Sequence, residues 1–198
     1  LYNTFIGLEA GGANTTGSRN LAIGYGPLDG PDTENDNIAI GYSALGGSIA
    51  GGEYNVAIGN YAGDAVTSAD DNVFVGHLAG SGITTGGTNT AVGRDALLVG
   101  TSGAGHTCVG YATGDSIETG SNNSLFGIHC GGAVTTGSQN SCIGQYAGNA
   151  ITTGDGNVAV GHDAGQTNAT GDHNICIGKQ AKTTANNASN AIAIGHNI

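Results

Sequence analysis

The groups with most chemistry to offer in this chain of 198 residues are fifteen carboxylates, six histidines and four cysteines. The densest acidic run, PDTENDN from Pro31 to Asn37, sets Asp32, Glu34 and Asp36 at alternate positions. Hard oxygens placed this way can ligate Ca²⁺, but the spacing matches neither an EF-hand loop nor a glycine-aspartate calcium repeat. A solvated turn is the expectation. His77, His162 and His196 each follow a recurring glycine, while His106, His129 and His173 lie elsewhere. Inward-facing copies in an oligomer could bind a transition metal. Tyr25, Tyr42, Asn60, Arg94 and Lys179 occupy the same column as the first three, which marks it as exposed.

The cysteines do not read as disulfides. Cys108, Cys142 and Cys176 recur at two-coil intervals in one small-residue column, about 9.6 Å apart in a straight stack, beyond the reach of a bridge. They are expected to act as buried alanine substitutes, as is Cys130. A glycosidase needs paired carboxylates across a sugar groove; Asp115 and Glu118 are near in sequence, but nothing else converges on them. The stretch GTSGAGH, Gly100 to His106, lacks the Lys-Ser/Thr of a phosphate loop. No catalytic residues, no metal site and no cofactor are therefore expected. Tyr25, Tyr42 and Tyr111 share one column and Tyr61 and Tyr146 the next, a file able to stack weakly on glycans if exposed.

Composition narrows the class further. With 39 glycines, no Trp or Met, a formal charge of −11 and four cations (Arg19, Arg94, Lys179, Lys182), the chain offers no basic stripe to neutralise phosphates. No run approaches the length of an apolar membrane span, and no cationic segment leads an apolar one. Leu1 is not an initiator methionine, and the reading is a processed product or one stretch of a longer fibre.

The glycines are periodic. Gly7, Gly24, Gly41, Gly59, Gly76, Gly93, Gly110, Gly127, Gly144, Gly161, Gly178 and Gly195 stand 17 residues apart, except for one interval of 18 between Gly41 and Gly59. So strict a period marks stacked units that cannot bury their faces alone. The spacing predicts an all-β, parallel β-solenoid (β-roll) of twelve coils, a single repeat domain over residues 1–198, about 57 Å long at one strand spacing per coil. Each recurring glycine fits a turn with positive φ. Asn stands four before it in ten repeats, with His106 and Ala191 as exceptions, and predicts an amide ladder. The β-prone "TTG" pieces, as in Ile83 to Gly86 and Ile151 to Gly154, predict a second short strand in each coil.

The residue before each glycine and the one two earlier share a strand face. Ile6, Ile23, Ile40 and Ile58, paired with Leu21, Ile38 and Val56, make that face bulky and apolar. The column between them points the other way and is apolar too. The bulky face is assigned to the interior. Ala22, Ala39, Ala57, Ala91, Cys108, Cys142, Ala159, Cys176 and Ala193 are assigned to a tight interface with partner chains in a symmetric oligomer.

The consensus N-x-A-I-G-x-x-A-G-x-x-x-T-T-G is carried by NTFIGLEAG (Asn3 to Gly11), NVAIGNYAG (Asn55 to Gly63) and NVAVGHDAG (Asn157 to Gly165). It resembles the head repeats of YadA-like trimeric autotransporter adhesins and, more closely, the repeat arrays of phage and marine-virus tail fibres. The resemblance implies a left-handed parallel β-roll with three chains side by side. It further implies an extracellular location, on a virion or cell surface, and surface attachment.

The expectation is thus a structural fibre or adhesin module, a rigid rod that displays contacts at a distance, with itself as partner and a surface glycan or host receptor as possible ligand. A self-assembling extracellular filament subunit is one alternative. An ice-binding solenoid is another, because Thr16, Thr33, Thr85, Thr119, Thr136, Thr153 and Thr170 recur nine residues after the glycine. Ala50, Ser68, Ser102 and Asn187 interrupt that file, and adjacent Thr side chains should point to opposite faces.

Overall fold

In the computed structural model, which describes residues 2–30, 33–47 and 51–198, every coil places a three-residue strand just before its recurring glycine. The twelve strands run from β1 (Thr4–Ile6) and β2 (Leu21–Ile23) to β12 (Ile192–Ile194). They form one parallel sheet in strict sequence order. Equivalent columns pair across the sheet: Ala22 faces Ala39, Ala39 faces Ala57, and Ala159 faces Cys176. The chain is therefore a parallel β-solenoid wound at about 17 residues per turn. No described helix is long and apolar enough to cross a membrane.

The turn glycines have two reasons to be glycine. Gly24, Gly41 and Gly76 have φ of 137–138°, a region that L side chains avoid. A Cβ on Gly24 would also lie 2.4 Å from the carbonyl oxygen of Gly41 in the next coil, and one on Gly76 would lie 2.4 Å from that of Gly93. Coil stacking itself thus occupies the space a side chain would need.

Two expectations are corrected. The second β-prone piece forms no strand: "TTG" is a bend, tied to the next coil by one ladder, as in Thr84 N–H to the Thr101 carbonyl at 3.0 Å and Thr135 N–H to Thr152 at 2.9 Å. The glycine that follows ends the extended run before a strand develops. The faces of the main strand are also reversed. Ala22, Ala39, Ala57, Ala91, Cys108 and Cys142 are 0% exposed within a single chain, Ala159 and Cys176 are buried, and Ala193 packs against the same core. They line the inside of the coil and cannot meet a partner. Ile6, Ile58, Phe126, Ile143, Ile177 and Ile194, the column assigned to the interior, point outward and are at least 38% exposed.

The physical reason is thickness. A coil closed by tight turns around a three-residue strand has a narrow interior, and small side chains fill it without strain. The same core takes Ala44, Ala62 and Ala96 from the position three after the glycine, and Val66, Ile83, Ile117, Val134 and Ile151 from seven after it. Size is traded within and between neighbouring coils: Ala57 stands with Gly63, whose added Cβ would lie 2.8 Å from Phe74 of the next coil. Phe74 and Leu125 in the strand column stand with glycine at the facing position, Gly80 and Gly131, whereas Ala22, Ala39 and Ala91 stand with Leu28, Leu45 and Leu97. A Cβ on Gly80 would lie 2.4 Å from Cδ1 of Phe74.

The asparagine column is buried and forms the expected ladder, mainly through the backbone. The Oδ1 of Asn89 accepts the N–H of His106 at 2.9 Å, and the Oδ1 of Asn140 accepts that of Asn157 at 2.9 Å. The carboxamide nitrogens donate to a carbonyl on the far side of their coil, as Asn140 does to Gly154 at 2.9 Å. Direct amide-to-amide rungs join some neighbours, such as Asn157 to Asn140 at 3.1 Å. Every such group would be a costly orphan in a dry core.

Candidate functional surfaces

Three long surfaces remain outside this core: the outward sheet face, an edge beside the turn glycines, and the opposite edge of threonines. The sheet face carries one apolar file along the rod and, beside it, a mixed file that is Thr or Ser at Thr4, Thr90, Thr107, Ser124 and Ser141. Ile6, Ile58, Phe126 and Ile143 belong to one and Val73 and Ile192 to the other, all exposed. Parallel sheets ordinarily have both faces covered, and an apolar side chain at the last position of every strand makes a file longer than scattered surface residues explain.

Beside the turn glycines, one large side chain per coil joins a single file over nine coils. Tyr25 stacks on Tyr42 with centroids 5.3 Å apart and planes within 6°. Tyr42 meets Tyr61 edge-on at 5.1 Å, and Tyr61 meets His77 at 6.4 Å. Asp95 then links His77, 3.9 Å away, to Arg94 at 3.1 Å. The Arg94 guanidinium lies 5.8 Å from the ring centre of Tyr111. Tyr111 meets His129 edge-on at 5.2 Å, His129 stacks on Tyr146 at 5.4 Å, and Tyr146 meets His162 at 6.4 Å. His162 also sits 2.9 Å from the Asp163 carboxylate.

The file draws on two sequence columns, one and two residues after the glycine. Tyr61, His129 and Tyr146 occupy the second, with φ of 52–58°. The left-handed backbone there brings them into ring contact with neighbours from the first column. Sequence reasoning found the five tyrosines but not that His77, Arg94, His129 and His162 complete the file. The available signal was one aromatic, imidazole or guanidinium per coil, counted over both columns together.

Electrostatics on this edge are acidic. The Glu9 carboxylate, with its charge and hydrogen bond, raises the Tyr25 hydroxyl above its ordinary pKa. Burial raises Tyr61, aided by its bond to Tyr42. Burial also raises the carboxyls of Asp64 and Asp115, and His129 partly opposes this at Asp115.

On the opposite edge, the second Thr of each "TTG" is exposed, as at Thr85, Thr119, Thr136, Thr153 and Thr170, with Ser68 and Ser102 in the same file. The first Thr is tied down: Thr84 Oγ1 donates to the Thr101 carbonyl at 2.8 Å and Thr152 Oγ1 to that of Ala169 at 2.9 Å. One free hydroxyl row therefore runs along this edge. Ala50 lies outside the described residues.

The remaining candidates are structural. Asp36 is engaged by the Arg19 guanidinium through Nε at 2.6 Å and a second nitrogen at 2.7 Å, a fork that raises Arg19 and lowers Asp36. Glu34 is buried and accepts from the backbone N–H and hydroxyl of Thr33 and from Gly51 N–H. Asp32 lies outside the described residues. Among those described, no group of three or more His, Cys, Asp or Glu is placed to hold a metal ion.

All four cysteines are free and buried. Burial pushes the Cys108 thiol far up, and the Cys142 thiol is raised by its hydrogen bond with Cys130 and by burial. Such thiols are inert as nucleophiles. Glu118 is exposed on the threonine edge, while Asp115 is half-buried near His129. GTSGAGH is wound into a coil, where the Gly103 carbonyl accepts from Asn89 at 3.1 Å. His173 and His196 are exposed, and His106 belongs to the asparagine ladder. Compared with known proteins, the chain matches no family model, no curated protein and no solved structure.

Proposed function

We propose that this chain is a structural rod in an extracellular fibre or adhesin, holding contact surfaces along its length, and that copies associate side by side as a trimer. The observation that carries the reading is the outward sheet face. One apolar file follows the stack from Ile6 to Ile194, each member exposed or half-buried in the single chain. In a parallel solenoid every strand adds the same two positions to this face, so further copies can cover it continuously with a repeating contact. Rigidity comes from the in-register ladders and the absence of helices or long loops among the described residues. The single free threonine row is compatible with an ice-ordering edge, but the neighbouring hydroxyls are spent on backbone carbonyls, which leaves the side-by-side rod better supported.

The test is mass in solution. The 19.2 kDa chain is expected to elute at three times its monomer mass in light scattering. The double variant Ile58→Asp/Ile143→Asp, changed only on outward positions, is expected to release folded monomers. A wild-type monomer at micromolar concentration, or a variant trimer, refutes the interface.

A further inference from the structure

We propose that the tyrosine-histidine file is a binding track for an extended, uncharged, β-linked polysaccharide lying along the rod. Tyr25 to His162 spans eight coil steps, about 38 Å at one strand spacing each. Ring centres in adjacent coils are 5.1–6.4 Å apart, with planes turned by 0–88° to one another and Arg94 replacing a ring in one coil, near the advance of one hexose in an extended β-linked chain. A polymer can therefore meet one side chain per coil, by face, edge or rim hydroxyl in turn, whereas a single sugar would meet only one or two. The rings are accessible: Tyr25 is 46% exposed, Tyr111 42% and Tyr61 37%. Tyrosine supplies an apolar face for sugar C–H groups and a hydroxyl at the rim.

Charge selects among polymers. The chain carries a net charge of −11, and Asp64, Asp95, Asp115 and Asp163 lie two or five residues beyond the turn glycines, on the file's own edge. A polyanion would be repelled along the whole length. Neutral hydroxyls are instead offered carboxylate acceptors. Beyond His162 a shallow depression lined by Asp163, Gln166, Gln180, Lys182 and Asn197 continues the edge with groups suited to hydroxyls. The track deepens the attachment role proposed above by naming its ligand class; it does not depend on which face joins the copies.

The test is retention on insoluble β-glucan and chitin, and retardation in gels containing soluble mixed-linkage β-glucan, with alginate as the polyanion. Wild type is expected to bind the neutral polymers and to ignore alginate. Each ring removed is expected to weaken binding about fivefold, and the triple variant Tyr42→Ser/Tyr111→Ser/Tyr146→Asn about a hundredfold. Its mass should stay unchanged and its melting should stay cooperative, lowered only by the lost ring contacts. Asn is used at position 146 because it tolerates the left-handed φ of 56°. Thr85→Ala/Thr119→Ala, on the opposite edge, should bind as wild type. Wild type unretained by every neutral polymer, binding to alginate alone, or full retention by the triple variant overturns the proposal. Mass and retention are independent readouts, so the track can fail while the rod stands, or the reverse.

Discussion

His106 stands in for asparagine in the buried ladder, and acid should expose the substitution. Its Nδ1 accepts the N–H of Asn123 at 3.3 Å and its Nε2 lies 2.8 Å from the carbonyl of Gly120. With Nδ1 accepting, the proton must sit on Nε2. The neutral ring thus copies the two roles of a carboxamide, one acceptor and one donor. Protonation places an N–H against the Asn123 N–H and buries a charge, and burial accordingly lowers the His106 pKa. An unfolded histidine titrates near 6.5, so the native state binds the proton less well. Stability is fully present above about pH 6.5 and is lost as pH falls toward the folded pKa, by up to about 1.4 kcal/mol per pH unit. Between pH 6.5 and 5 the loss reaches up to about 2 kcal/mol, comparable with one orphaned buried group. Urea midpoints at pH 7.5, 6 and 5 for wild type and His106→Asn measure this, since the variant keeps the other five histidines as internal controls. The variant should lose the extra acid sensitivity and match or exceed wild type at pH 7.5. Equal pH slopes in the two proteins, or a steeper one in the variant, would refute the reasoning.

Two further perturbations probe the core. Phe74→Ala should cost about 3–5 kcal/mol by emptying the space its fully buried ring fills, and Gly80→Leu alone should clash with the Phe74 ring. Combined, they approach the Ala91 and Leu97 arrangement, with Ile83 kept where that coil has Gly100, and a double-mutant cycle should show about 1 kcal/mol or more of favourable coupling. Asn140→Ala leaves the Asn157 N–H and the Gly154 carbonyl without their side-chain partner, and should cost about 2–4 kcal/mol with loss of hydrogen-exchange protection at Asn157. Asp155→Ala, which removes the exposed acceptor 2.7 Å from Ser138 N–H, should cost under about 1 kcal/mol because water replaces it.

The period, the strand position, the parallel register, the turn glycines and the amide ladder were all legible in the sequence, because each is a property of a column and twelve copies make columns plain. The orientation of the strand was not. A period of two separates its faces without saying which is inside, and the usual rule that bulky apolar residues are buried pointed Ile40 and Ile58 the wrong way. The pairing of Phe74 with Gly80 and of Ala91 with Leu97 hinted at a shared cavity, but Ala57 with Gly63 and Ala159 with Gly165 break the trade, because neighbouring coils share the volume. The aromatic file was half legible: the tyrosines were seen as two columns, and the left-handed φ that merges them is invisible in residue types such as His129 or Tyr146.

The in-register pairing makes length a counted quantity. The glycine interval between Gly41 and Gly59 is 18 rather than 17, yet Ile38, Ala39 and Ile40 pair in register with Val56, Ala57 and Ile58, so one surplus residue leaves the strand partners unchanged. Duplication or loss of a whole winding leaves all ladders matched and changes reach by about 4.8 Å. Any other insertion has to be looped out. Reach can therefore evolve in steps, like adding or removing links of a chain, without redesigning what any link does.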